Sequence, residues 1–306
     1  MLVLLVIDLI RHVKVVGQPA LYGCTDVAPV ASDNSRLLKY LVGQQKTAHA
    51  YQSIICSPLR RCQLLATEFS QLCQLPLAIS VGLQEMNFGC FDGVPFDDIP
   101  FDAKPLDSVL LSEVPVNSIA VKEVGLEKVP GDEVLSCGGQ DHNISNQEQY
   151  FKQVKAKAHW SQLEAFFQAP AEVILPQAEA LADFHSRVMK AWQNVLTQQV
   201  AIATEQAENF HAKPQGPLAK KTPAVRRVLV IVHGGVIRMI LAHILQLDWQ
   251  QASWYQKLQI GHGSLSRICI SQPYQDKNQA QHLYPQAEQL LHQQVTTIAM
   301  PLLEDF

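Results

Sequence analysis

The sequence predicts an α/β fold: a three-layer sandwich with a mostly parallel central sheet, helices on both faces and surface insertions. Three observations carry that expectation. Short continuous runs of β-branched and leucine residues end in polar or glycine residues, which suits strands buried on both faces of a parallel sheet. Each run is followed, directly or after a loop, by a helical pattern. The 306 residues are 47% hydrophobic and only 17% charged, enough apolar material for a real core and incompatible with wholesale disorder. The chain reads as one domain over 1–306, with insertions near 104–150 and 200–227.

The first strand is Leu2 to Ile10, running into Arg11-His12, with a helical pattern from Ser35 to Gln45 after it. A short strand, Ser53 to Cys56, delivers Ser57-Pro-Leu-Arg-Arg-Cys62, and Arg61 opens a helix that continues through Glu68. Val228 to Val232 runs into His233-Gly234-Gly235, with a helical pattern from Val236 to Leu247. Helices are also expected at about 147–167 and 177–198, the latter aligning Leu181, Phe184, Val188, Ala191 and Val195 on one face. In an open α/β sheet the ligand sits beyond the carboxyl ends of the strands, and all three motifs fall at that edge.

Between 104 and 150 three lysines stand against eight acids, with no sustained period; 209–227 carries five basic residues, no acid and prolines at 214, 217 and 223. Both read as solvated surface insertions, with pairing between them or a lid over the site as the sharper alternative. Twenty-four basic against 28 acidic residues give a net charge of −4, without the basic excess of a nucleic-acid binder. Seven scattered cysteines with no CxxC pair read as free thiols, not as a disulfide frame or a zinc site. Asp8 and Arg11-His12 break the apolar start, so no signal peptide is expected, and no run approaches the roughly 20 apolar residues of a membrane span. A soluble cytoplasmic protein is the expectation, with no membrane or nucleic-acid partner.

Arg11-His12 alone is a weak signal, strengthened by its place at a strand's carboxyl end. Four further pieces follow in order: Tyr22-Gly-Cys-Thr-Asp26, Ser57-Pro-Leu-Arg-Arg-Cys62, Glu85-Met-Asn-Phe-Gly-Cys-Phe-Asp-Gly93 and Val232-His-Gly-Gly-Val-Ile-Arg238. Together they resemble the histidine phosphatase (phosphoglycerate-mutase-like) superfamily, whose members carry RH, SPLxR-type, ExxFGxxEG-type and HGG motifs in this order. The α-ribazole phosphatase branch is the nearest in pattern, through YGCTDV, FGCFDGVPFDDIP and the Trp254 stretch leading into IGHGSLSRI.

The resemblance implies His12 as nucleophile, Arg11, Arg61 and His233 as the phosphate clamp with Gly234 beside it, and Glu85 as proton donor. Arginine suits the task because its planar fork donates paired hydrogen bonds to phosphate and keeps its charge near neutral pH. Neighbouring guanidiniums favour a neutral imidazole, whose lone pair is free to attack phosphorus. A donor must hold its proton at working pH, so a mildly acidic to neutral optimum is expected. With cations built in, neither metal nor cofactor is required, and the implied partner is a small-molecule phosphate ester. Tyr22, Gly23, Thr25 and His262 are weaker candidates for substrate contact, while Asp26, Asp97 and Asp98 read as turn or cap residues. The pattern departs from the family at Val13, Asp92 and Pro176-Gln-Ala-Glu-Ala180, where a glycine, a glutamate and a glycine turn are usual. The expected activity is hydrolysis of α-ribazole 5′-phosphate. Broad-specificity phosphatase, phosphoglycerate mutase and a phosphate-ester-binding scaffold without turnover are the alternatives.

Overall fold

The structure, a computed structural model, describes residues 2–100, 159–211, 225–272 and 291–303. Six strands pair in it: β1 (Leu2–Arg11), β2 (Ser53–Cys56), β3 (Leu77–Ile79), β4 (Arg226–Val232), β5 (Ser264–Gln272) and β6 (His292–Pro301). Their order is β3-β2-β4-β1-β5-β6. The first four in that order are parallel, while β5 runs antiparallel to β1 and β6 antiparallel to β5. Among the described residues the α-helices are α1 (Ala31–Gln44), α2 (Arg60–Cys73), α3 (Trp160–Gln168), α4 (Leu181–His211), α5 (Gly234–Ile244) and α6 (Ser253–Lys257).

Alternation along the central strands divides the core into two layers, as a period of two requires. Leu5, Ile7 and Leu9 of β1 and Val228, Val230 and Val232 of β4 pack with Phe184, Val188 and Trp192 of α4 and Ile237 and Ile240 of α5. Ile10, Leu229 and Ile231 face the other way, onto Leu37 and Leu41 of α1 and Leu65 and Phe69 of α2. This is the three-layer arrangement expected. Asp8, the residue that interrupts the apolar run of β1, is 1% exposed and takes hydrogen bonds from Arg267 (2.7 and 2.8 Å) and Tyr51 Oη (2.8 Å). A buried carboxylate left unpaired would cost several kcal/mol, so this interior charge is tolerated through those partners.

Several boundaries differ from the sequence expectation. Helix α5 begins at Gly234, two residues early, because poor helix formers are accepted where side chains would collide with the site. Helix α1 begins at Ala31 rather than Ser35, and α2 at Arg60 rather than Arg61. The stretch expected to be irregular from 200 continues α4 as far as His211, where Ala203 is still buried and 4% exposed, and Arg226 already belongs to β4. Residues 212–224 of that expected insertion, the whole of 104–150 and the start of the helix expected at 147–167 lie outside the described residues. Helix α3 is the described part of that last element.

Candidate active site

Register brings the motifs together. Arg11 on β1 is opposite Val232 on β4, and the next residue, His12, donates its backbone N–H to the Val232 carbonyl at 3.0 Å. His12 and His233 therefore leave adjacent strand ends, with ring centroids 5.2 Å apart in an edge-on arrangement. On the other side of β4, Cys56 pairs with Ile231, and Ser57 N–H donates to the Ile231 carbonyl at 3.1 Å, which sets the Ser57–Arg61 turn at the same edge.

His12 is buried, and its Nδ1 lies 2.7 Å from the Val13 carbonyl. A carbonyl can only accept, so Nδ1 carries the proton and the neutral ring keeps its lone pair on Nε2. Burial, and then the positive charges of Arg61 and Arg11, hold the His12 pKa well below the ordinary histidine value. His233 is fully buried and shifted the same way by burial and its neighbours. Its Nδ1 accepts from Arg61 Nε at 3.2 Å, so its Nε2–H faces Ser57 Oγ at 2.7 Å.

Arg61 is fully buried. Beyond His233, it donates to the carbonyls of Thr25 (2.9 Å), Tyr22 (2.9 Å) and Gly23 (2.7 Å). Gly23 and Thr25, expected at the substrate, thus serve Arg61 through their backbone. Asp92 fastens this loop, accepting from the N–H groups of Gly23 (3.2 Å), Cys24 (2.8 Å), Thr25 (2.9 Å) and Phe88 (3.1 Å). Asp26 accepts from Arg60 N–H at 2.7 Å and so serves the first turn of α2 from a distant loop, while the N-cap position itself is Leu59.

Glu85 is placed by α5 and α4. One carboxylate oxygen accepts from Gly235 N–H at 3.0 Å, at the positive end of α5, and the other from its neighbour Met86 N–H at 3.1 Å. Arg187 of α4 is paired with Glu179 at 2.7 Å and donates to the carbonyls of Gly82 (3.1 Å) and Gln84 (3.0 Å), bracing the backbone that leads to Glu85. Gln177, in the stretch where the resemblance leads to a glycine turn, has φ +62°, a left-handed conformation that carries a modest steric cost for a side chain.

Arg11 reaches from β1 across the mouth of the site. Its guanidinium donates to the Ile260 carbonyl and meets His262 Nε2 at 3.2 Å, while His262 Nδ1 lies 3.2 Å from the His12 carbonyl. The Arg11 Nε–H is buried with no hydrogen-bond partner among the described residues. A Cβ on Gly234 would stand 3.3 Å from that nitrogen, so the first glycine of HGG is where the arginine needs room.

A cavity of about 560 Å³ opens over these groups, lined by Arg11, His12, Tyr22, Glu85, Gly234 and His262. Arg61 and His233, both fully buried, stand beside the nucleophile and do not line the cavity. Lining residues that the sequence reading did not assign are Arg238, Lys14 and Tyr255. Arg238 was legible in principle: it lies one helical turn beyond Gly234, on the same face of α5. Among the described residues no group of three or more His, Cys, Asp or Glu side chains is placed to hold a metal ion, and no helix is long and apolar enough to cross a membrane.

Residues 8–107 match the histidine phosphatase superfamily, branch 1. The matched segment contains His12, Arg61 and Glu85, and the fold adds His233 and Arg238 from outside it. Solved structures of like fold include a mycobacterial glucosyl-3-phosphoglycerate phosphatase (15% identity, TM-score 0.51, 97% of this chain and 99% of that one). Others are the α-ribazole phosphatase from Shigella flexneri (15%, 0.50, 98% and 100%) and YhfR from Bacillus stearothermophilus (13%, 0.51, 87% and 91%). At such identities the likeness establishes the shared phosphoglycerate-mutase-like α/β fold. No curated protein matches the chain. The match over residues 8–107 supports an enzyme of phosphatase type.

Proposed function

We propose that the chain is a metal-independent phosphomonoesterase that works through a phosphohistidine on His12, with α-ribazole 5′-phosphate as its substrate, in assembly of the cobalamin nucleotide loop. One observation carries the chemistry: a buried imidazole, kept neutral, has Nδ1–H committed to the Val13 carbonyl and its Nε2 lone pair uncommitted, beside two guanidiniums. Nε2 attacks phosphorus as the ester P–O bond breaks, and Glu85 delivers a proton to the departing alkoxide. The Glu85 carboxylate then takes a proton from water, whose oxygen attacks phosphorus. The N–P bond breaks, its electrons return to Nε2, and inorganic phosphate leaves.

Arg11 and Arg238, which line the cavity, supply positive charge at the equatorial oxygens, where positioning and charge stabilisation do most of the catalysis. The charge of Arg61 helps to keep the ring unprotonated, and His233 packs against it edge-on. The cobalamin-precursor substrate draws its support from the sequence pattern of the α-ribazole phosphatase branch.

Hydrolysis of p-nitrophenyl phosphate in the presence of a chelator, with His12→Ala as control, tests the reaction. A phosphate-ester panel containing α-ribazole 5′-phosphate, compared by kcat/KM, tests the substrate. Absence of wild-type hydrolysis across pH 5–8 would turn the reading to a binding protein, and a flat panel to a broad-specificity phosphatase.

A further inference from the structure

The cavity that holds Arg11, His12 and Glu85 has a second character. Leu21, Phe88, Phe166, Phe167 and Pro170 line the same space, so part of its wall is hydrocarbon. Phe88 and Phe166 meet edge to face at 6.2 Å, which presents their rings in fixed relative orientation. Phe167 is 37% exposed, and its carbonyl accepts from Gln256 Nε2 at 2.9 Å, tying the end of α3 to α6 across the cavity rim. These aromatics come from two separated parts of the chain, the loop after Glu85 and helix α3, and converge beside the nucleophile.

The charges in the wall point the same way. Arg11, Lys14 and Arg238 are the lining arginines and lysine, and Glu85 is the lining carboxylate. The cationic excess is of the size that one phosphate dianion neutralises. Little remains for a carboxylate or a second phosphate elsewhere on the substrate, and the aromatic wall offers such a group nothing. A sugar or glycerate hydroxyl set directly against those five apolar side chains would lose water to a surface that offers no hydrogen bond.

We infer that Leu21, Phe88, Phe166, Phe167 and Pro170 form the leaving-group subsite, and that it takes a monophosphate ester whose alcohol carries one flat, uncharged aromatic group. This rests on the phosphomonoesterase reading and specifies which part of the cavity selects the alcohol. α-Ribazole 5′-phosphate, with its fused aromatic base, is one member of the class.

The test compares 2-phenylethyl phosphate with ethyl phosphate, whose alkoxide leaving groups are alike, and with 3-phosphoglycerate. In parallel, binding of 2-phenylethylphosphonate and ethylphosphonate is measured by calorimetry, which needs no turnover. The wild type should favour the phenyl member of each pair by about 10–100-fold, the range that burial of a small apolar group in a fitted pocket gives. 3-Phosphoglycerate should be the poorest ester. Phe167→Ser, at a partly exposed position that the core does not depend on, should narrow both ratios by about 3–10-fold. Equal constants for the two members in the wild type, or ratios unmoved by Phe167→Ser, would overturn the subsite. Turnover of none of the esters, with phenyl-selective phosphonate binding retained, would instead overturn the phosphatase reading while leaving the subsite standing.

Discussion

The Glu85 carboxylate lies 3.0 Å from the backbone nitrogen of Gly235, and a Cβ on that glycine would collide with the same carboxylate. The second glycine of His233-Gly234-Gly235 is therefore a space reserved for an acid supplied from 150 residues earlier in the chain. Gly235→Ala should fold, since its backbone is helical, but should push Glu85 out of place. We expect kcat/KM for an alkyl phosphate to fall by about 10–100-fold, part of the range for general acid catalysis, with little change in Tm. Wild-type rates in the alanine variant would show that the contact is incidental.

Glu85→Gln keeps the shape and removes the proton. Loss should be on the order of 10²–10⁴-fold for alkyl phosphates and much smaller for p-nitrophenyl phosphate, whose leaving group needs no proton. Equal losses on both substrates would take Glu85 out of the donor role.

Asp92 holds four backbone N–H groups and through them the loop whose carbonyls bind Arg61. Asp92→Ala should lower stability by about 2 kcal/mol, as removal of a charged acceptor from several donors does. It should also depress kcat, because Arg61 loses its fixed position behind His12. Denaturant unfolding alongside single-turnover kinetics checks both. Loss of stability with kcat untouched would mean that Arg61 is held without the loop.

Histidine burial sets a pH dependence of definite sign. His12 and His233 have folded-state pKa values well below the ordinary 6.5, chiefly through burial, and burial with Arg11 brings His262 down to about 4. In the unfolded chain these rings take up protons below about pH 6.5 while the folded chain does not, so stability must fall as pH drops from there toward the folded values. His12 and His233 each contribute at most about 1.4 kcal/mol per pH unit in that window. Urea midpoints measured at pH 7, 6 and 5 should decrease stepwise, and His262→Gln should flatten the series slightly. A midpoint independent of pH would contradict the burial of neutral rings.

The parts of the site that rest on local pattern were legible in the sequence. Continuous apolar runs ending in Arg11-His12 and His233-Gly234 announced two parallel strands with chemistry at one edge, and the structure pairs them. What depended on distant partners was not. Strand β6 alternates between half-buried and exposed positions, so it never produced the continuous apolar signal of β1 and β4. Arg238 closes the motif that begins at Val232, but it had no role until the fold set it beside Arg11 and Glu85. Gly23 and Thr25 were expected at the substrate, but the contacts they make here are main-chain carbonyls on Arg61, which every residue has and no sequence displays. Nor could residue types reveal that Arg61 would have most of its donors committed to protein before any ligand arrives.

Asp8 stands directly across from Arg267 in the β1–β5 register. Sliding β1 by a single position would strand that carboxylate in hydrocarbon, and because side chains alternate it would also turn His12 to the wrong side of the sheet. The electrostatic pair thus works as an alignment pin, so the aim of a nucleophile at one end of the strand is guaranteed by a charge lying four residues behind it.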